Sequence, residues 1–141
     1  MDWRIKKYKK GGQFLKPTIH NRIDTVFIHV RNLKESVRWY STLFGLEFQE
    51  GEYEGPIYTI DMGADRPGLT LDNHCFDKDY DFKPSNHPIF NVSTDDINAA
   101  YEHIKNMGAE IVTEIETFPD LADFSFKDPD GNIIMVCTCF T

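Results

Sequence analysis

Residues 26–48 read VFIHVRNLKESVRWYSTLFGLEF, and this stretch decides the fold. Its opening run, VFIHV, is apolar, β-branched and aromatic, which predicts a strand. Asn32 followed by Glu35 predicts a helix N-terminus with a capping box, and Gly45 predicts the end of that helix. Between them an apolar stripe recurs at helical spacing, on Leu33, Val37, Tyr40 and Phe44. The stretch therefore predicts a strand followed by an amphipathic helix.

A second copy of this pattern occupies residues 88–111, PIFNVSTDDINAAYEHIKNMGAEI, where Gly108 ends the helix. Short β-branched and aromatic runs follow each helix and predict three further strands per copy. In the first half these are Glu47–Glu50, Ile57–Met62 and Leu69–Asp72, and in the second half Glu110–Ile115, Phe124–Lys127 and Asn132–Cys139. The chain thus predicts an α+β fold built from tandem βαβββ modules.

Turn and linker signals divide the chain. The sequence DPDGN at residues 128–132 predicts a tight turn between the last two strands, because Pro presets one corner and Gly accepts positive φ. The stretch Asp72–Asn86 is rich in Asp, Asn, Lys and Pro and predicts a linker. The predicted organisation follows as ranges: a basic N-terminal arm, 1–21; a single domain, 22–140; module one, 22–80; and module two, 86–140.

Composition limits the function classes. A length of 141 residues with 40% hydrophobic residues predicts one globular domain. Residues 1–22 carry seven basic side chains and one acidic side chain, Asp2, which gives this segment a charge of +6. Because the net charge of the chain is −8, the remaining residues carry −14. A body this acidic disfavours nucleic-acid and anionic-membrane partners. Three cysteines without an export signal favour a cytoplasmic location.

Two segments carry a family resemblance. VFIHVRNLKESVRWYSTLFGLEF resembles the opening strand and helix of the glyoxalase, bleomycin-resistance and dioxygenase (vicinal oxygen chelate, VOC) superfamily, and residues 94–108 with FKDPDGNIIMV at 126–136 resemble its closing module. The resemblance covers about residues 22–140. It implies a curved, cup-shaped mixed sheet around a cavity for a small organic molecule, often with a divalent metal, and it implies a homodimer.

The same resemblance locates four metal-ligand positions on the first and last strands of the modules. They are occupied by Thr25, by Thr70 or (after a register slip of two) Asp72, by His87 and by Met135. Threonine hydroxyls and a thioether are poor ligands for a hard divalent cation. We therefore expect no cofactor and no family-type metal site. If a metal is bound, displaced ligands are expected, namely His87 with Asp72 or His29, in a cluster that His74 could join.

Strand alternation predicts which side chains face the cup. The predicted ligand-binding residues are Thr25, Phe27, His29, Thr70, Asp72, His87, Asn91 and Met135, and Ile89, Ile133 and Cys137 share their faces. An apolar cup with a few polar groups is typical of a small-molecule pocket. The leading prediction is binding of a small organic molecule. Two alternatives stay open: a metal-dependent lyase, isomerase or dioxygenase with displaced ligands, and an interaction module that docks through the basic arm. No catalytic residue is identified.

Overall fold

The structure is a computed structural model that describes residues 9–10, 13–14, 18–51 and 53–139. Two short strands, β1 (Lys9–Lys10) and β2 (Gln13–Phe14), pair antiparallel. Most of the predicted basic arm, and residues 52 and 140 of the predicted domain, lie outside the described residues. Within the described part, no helix is long and apolar enough to cross a membrane.

Module one contains a three-stranded sheet and one helix. Its elements are β3 (Thr25–His29), α1 (Leu33–Leu43), β4 (Ile57–Ile60) and β5 (Gly68–Asp72). The strand order is β3-β5-β4, with β3 parallel to β5 and β4 antiparallel to it. Asn32 caps α1 as predicted, since its side chain accepts a 3.0 Å hydrogen bond from the Glu35 amide.

The strand predicted at Glu47–Glu50 is wrong. The segment has no strand structure, and it is attached to α1 instead of to the sheet. The Arg38 guanidinium lies 3.2 Å from the Glu50 carboxylate, and Phe48 packs against the core. The Arg38 guanidinium of α1 also lies 5.1 Å from the centre of the Phe48 ring. Packing against the core and α1 therefore explains the apolar Phe48 signal, and module one has one strand fewer than predicted.

Module two forms the complete βαβββ unit. Its elements are β6 (Pro88–Ser93), α2 (Ile97–Asn106), β7 (Ile111–Thr117), β8 (Leu121–Lys127) and β9 (Ile133–Cys139). The strand order is β6-β9-β8-β7, with β6 parallel to β9. The hairpin predicted from DPDGN joins β8 and β9, and Gly131 has a φ of +91°. The predicted α+β fold is confirmed.

The core lies between the helices and one face of each sheet. Alternate strand residues point to this face, as a pleated strand requires. The fully buried ones include Ile28, Leu71, Phe124, Phe126 and Ile134. The intervening residues of the same strands point to the opposite face of each sheet. These opposite faces correspond to the inside of the predicted cup, and most of the predicted ligand-binding residues lie on them.

A buried polar contact joins the modules. The Tyr40 hydroxyl of α1 donates a 2.7 Å hydrogen bond to the Asp128 carboxylate at the start of the β8–β9 turn. Asp128 also accepts from the backbone amides of Asp130 and Asn132, at 2.9 Å and 2.8 Å. Tyr40 is 0% exposed and Asp128 5%. The turn of module two is thereby held against the helix of module one.

Removing the Tyr40 hydroxyl should therefore destabilise the protein. We expect Tyr40→Phe to lower the free energy of unfolding by about 1–3 kcal/mol, because a buried carboxylate loses a donor. Urea denaturation measures this. Tyr53→Phe is the matched control, since the Tyr53 hydroxyl donates an exposed hydrogen bond to the Gln49 carbonyl. Equal losses in the two variants would contradict the role of the contact.

The same contact predicts an alkaline effect. Burial, followed by the charge and hydrogen bond of Asp128, raises the pKa of Tyr40 well above its ordinary 10.0. The folded protein thus keeps this proton more tightly than the unfolded chain, so the stabilisation is complete below pH 10 and is lost as pH rises toward the folded pKa. Urea denaturation at a series of pH values in this range should show that the free energy of unfolding falls more steeply with pH in wild type than in Tyr40→Phe. If the free energy of unfolding fell with pH at the same rate in both proteins, this prediction would be contradicted.

Candidate functional site

Three threonine hydroxyls meet on the non-core face of module one. Thr70 of β5 lies 2.7 Å from the Thr25 hydroxyl and 2.8 Å from the Thr59 hydroxyl. The parallel register of β3 and β5 places Thr25 opposite Gly68 and Phe27 opposite Thr70. The Thr70 hydroxyl is buried and bonded on both sides. Two of the four predicted metal-ligand positions are therefore occupied by hydroxyls that satisfy one another.

The four positions do not form the metal site that the resemblance implies. Thr25 and Thr70 offer only neutral hydroxyls, which are already hydrogen-bonded. Met135 offers a soft thioether, and it lines a cavity of module two together with His87. Borderline and hard divalent cations require several imidazole or carboxylate ligands. The residues present do not fit such an ion.

The cavity of module two has a volume of about 430 Å³ and lies on the non-core face of the four-stranded sheet. Its lining comprises Asn86, His87, Pro88, Val112, Thr113, Glu116, Asp123, Ser125, Ile133 and Met135. Glu116 faces Asp123 across the β7–β8 ladder. The His87 ring nitrogen lies 2.9 Å from the Asn86 side-chain oxygen. Of the predicted ligand-binding residues, His87 and Met135 are brought together here.

A second cavity, of about 320 Å³, is lined by both modules. Its lining comprises Val26, Phe44, Met62, Arg66, Pro67, Gly68, Leu69, Phe90, Asn91, Val92 and Ser93. Asn91 thus lines a different cavity from His87 and Met135, although it pairs with Met135 in the β6–β9 ladder. Among the described residues, Thr25, Phe27 and Thr70 lie outside the lining of both cavities, and Phe27 is 53% exposed.

A β-bulge explains one further departure from simple alternation. Pro88 pairs with Ile133 and Asn91 with Met135, so Ile89 and Phe90 together oppose Ile134 alone. Ile89 consequently packs against the core, and its predicted place on the cup face is wrong. Sequence alternation cannot detect a bulge, because the extra residue shifts the face of every residue after it.

A cluster of ionisable side chains lies where β3 and β5 end. The parallel register pairs His29 with Asp72, the last residues of the two strands. The nearer Asp72 oxygen, Oδ2, lies 3.8 Å from His29 Nε2 and 3.6 Å from His74 Nδ1. One ligand atom of each residue lies within 4.8 Å of the others. The sequence predicted His87 as a displaced metal ligand together with Asp72 or His29. In the structure, His87 lines the module-two cavity and is not part of this cluster.

Residues of the predicted linker surround the cluster. The Tyr80 hydroxyl is hydrogen-bonded to His29 Nδ1. The His74 ring lies 4.2 Å, centroid to centroid, from the rings of both Phe76 and Tyr80. His74 Nε2 lies 4.0 Å from an Asp77 oxygen. Burial, and next the charge of Asp72, raises the pKa of Tyr80, so its hydroxyl stays protonated at neutral pH.

Solved structures share this fold at low sequence identity. A glyoxalase/bleomycin resistance protein/dioxygenase superfamily member from Sphaerobacter thermophilus matches with a TM-score of 0.66 and 17% identity, covering 84% of this chain and 98% of that one. A lactoylglutathione lyase from Agrobacterium tumefaciens matches with 0.62 and 19%, covering 84% and 94%. TioX from Micromonospora sp. ML1 matches with 0.61 and 15%, covering 85% and 100%.

Sequence comparison gives the family. No curated protein matches the chain. The family model of the Glyoxalase/Bleomycin resistance protein/Dioxygenase superfamily matches residues 22–136, which is most of the chain and nearly all of the predicted domain. The family model, the α+β architecture and the structural neighbours all agree with the resemblance read from the sequence. The chain therefore belongs to the Glyoxalase/Bleomycin resistance protein/Dioxygenase superfamily.

Proposed function

We propose that this protein binds a small organic molecule in the module-two cavity, without a metal at the family positions. The observation that carries the proposal is the cavity itself. Its volume of about 430 Å³ is within the range of small-molecule sites. Ile133, Met135 and Val112 offer apolar contact, and a flexible Met adapts to irregular ligands. Ser125 and His87 offer hydrogen bonds that would orient a ligand.

The charge of the lining favours a basic ligand. Glu116 of β7 and Asp123 of β8 are directly paired, so two carboxylates lie side by side in the cavity lining. Within the described part of the chain, no Lys or Arg lines this cavity. A protonated amine in the bound molecule would complement these carboxylates, and an anion would be repelled. The proposed ligand class is therefore a small organic amine with an apolar body.

The threonine network supports binding without a family-type metal. The hydroxyls of Thr25, Thr59 and Thr70 hydrogen-bond to one another on the corresponding face of module one. Such a network has its hydrogen-bonding needs met by protein alone. Homodimerisation, a cytoplasmic location and an interaction role for the basic arm stay predictions from the sequence.

Binding should depend on cavity space and on the two carboxylates. We expect size-matched aromatic amines to bind more tightly than neutral or anionic aromatics in calorimetry. Glu116→Gln and Asp123→Asn should each weaken amine binding about two- to fivefold, the range of partly exposed ion pairs. Met135→Trp should abolish binding by filling the cavity. Phe118→Trp is the control, since Phe118 is exposed and outside the lining. Undiminished binding by Met135→Trp would refute this site.

Metal independence has a separate test. Amine binding by wild type should be unchanged after dialysis against a chelator. Thr70→Val should leave amine binding unchanged and lower the free energy of unfolding by about 1 kcal/mol, because two hydroxyls lose a partner. The control Thr42→Val removes an exposed helix hydroxyl that bonds the Arg38 carbonyl. Loss of amine binding on chelation would count against the proposal.

A further inference from the structure

The His29–Asp72–His74 cluster is separate from the family positions. His29 lies four residues beyond Thr25 on β3, about 13 Å at roughly 3.3 Å per residue. Because β3 and β5 are parallel, their carboxyl ends meet at one edge, and His29 and Asp72 are paired there. His74 follows two residues later with a positive φ of 53°, which turns the chain at the strand end. Three ligand-type residues thus converge from two strand ends and one turn.

The spacing within the cluster does not correspond to direct hydrogen bonds. The separations of Asp72 Oδ2 from His29 Nε2 and from His74 Nδ1 are 3.8 Å and 3.6 Å, beyond hydrogen-bond length. Ligand atoms bonded tetrahedrally to one ion at about 2.1 Å lie about 3.4 Å apart. The observed separations are close to this value. All three ligand atoms lie within 4.8 Å of one another, so the groups can surround a common ion.

The ring nitrogens are oriented for coordination. Tyr80 holds His29 Nδ1, which leaves Nε2 directed at Asp72. Asp77 lies beside His74 Nε2, which leaves Nδ1 directed at the same Asp72 oxygen. Imidazoles that ligate metals commonly have the second nitrogen held by an outer polar group. His29 has such a group in Tyr80, and the Asp77 carboxylate lies near the second nitrogen of His74, at 4.0 Å.

A buried polar atom in the cluster has no partner. His74 Nδ1 is buried and makes no hydrogen bond within the described structure. Asp72 is 7% exposed, and while Oδ1 accepts from the His74 amide at 2.7 Å, Oδ2 faces the two ring nitrogens. Leaving such groups unpaired is costly in a folded protein. A cation among them would satisfy both the carboxylate oxygen and the buried nitrogen.

We infer that His29 Nε2, His74 Nδ1 and Asp72 Oδ2 bind one divalent transition-metal ion of the zinc type. Two imidazoles and one carboxylate suit Zn²⁺ and neighbouring ions such as Co²⁺, whereas Mg²⁺ and Ca²⁺ prefer oxygen ligands. Three protein ligands leave a coordination position for water or a ligand oxygen. The site does not rest on the proposed amine binding, which involves a different cavity and different residues.

The experiment uses the full chain, stripped with a chelator that is then removed by dialysis. Calorimetric titration with ZnCl₂ should give one ion per chain, and CoCl₂ should produce the visible absorption of tetrahedral Co²⁺. Mg²⁺ should not compete. His29→Gln, Asp72→Asn and His74→Gln should each weaken Zn²⁺ binding at least about 100-fold. Tyr80→Phe should weaken it less, within about 10- to 100-fold, as an outer-group change does.

His20→Gln is the matched control, because His20 is exposed and outside the cluster; it should bind Zn²⁺ like wild type. Circular dichroism without metal identifies any variant that fails to fold. If a variant fails to fold, ¹⁵N NMR of Zn²⁺-loaded wild type replaces it as the test. The ring nitrogens that bind Zn²⁺ should then be those of His29 and His74. Absence of Zn²⁺ binding by wild type, wild-type affinity in folded cluster variants, or coordination by other histidines would overturn the inference. If the Zn²⁺ inference failed in this way, the proposed amine binding, measured in the presence of chelator, would still stand.

Discussion

The buried hydrogen bond from Tyr40 to Asp128 organises this molecule. It joins the helix of module one to the β8–β9 turn of module two, and Asp128 at the same time closes that turn through the amides of Asp130 and Asn132. The Asn132 side chain then reaches the His29 carbonyl at 2.9 Å. A buried carboxylate needs all of these donors to offset its lost hydration. The contact that unites the modules therefore also positions the end of β3, where the histidine cluster begins.

The two modules share one plan and differ in the surfaces they offer. In module one, the non-core sheet face holds the bonded threonines, and its chemistry is concentrated at the strand ends around Asp72. In module two, a fourth strand widens the sheet, and β7 and β8 place Glu116 opposite Asp123 at the cavity. Duplicated backbone geometry thus presents two separate candidate sites, because function depends on side chains placed on a fold.

Local signals predicted the elements well. The cap at Asn32, the stop at Gly45 and the DPDGN hairpin were confirmed, since each depends on residues within a few positions of one another. The strand predicted at Glu47–Glu50 was wrong because Phe48 packs against the core and against Arg38 of α1 without strand pairing. The bulge that moves Ile89 toward the core was invisible for a related reason, since it depends on pairing with β9.

The sequence by itself determined the α+β fold and the helix boundaries, because residue type and local spacing carry that information. The family resemblance implied in addition that Thr25 and Met135 occupy metal-ligand positions. Only the tertiary structure decided which polar residues meet. Parallel pairing set His29 against Asp72, and the positive φ of His74 added the third group, whereas His87 lies in the cavity of module two. These contacts depend on strand register and on chain direction after the strand, and both are set by long-range pairing that no local pattern encodes.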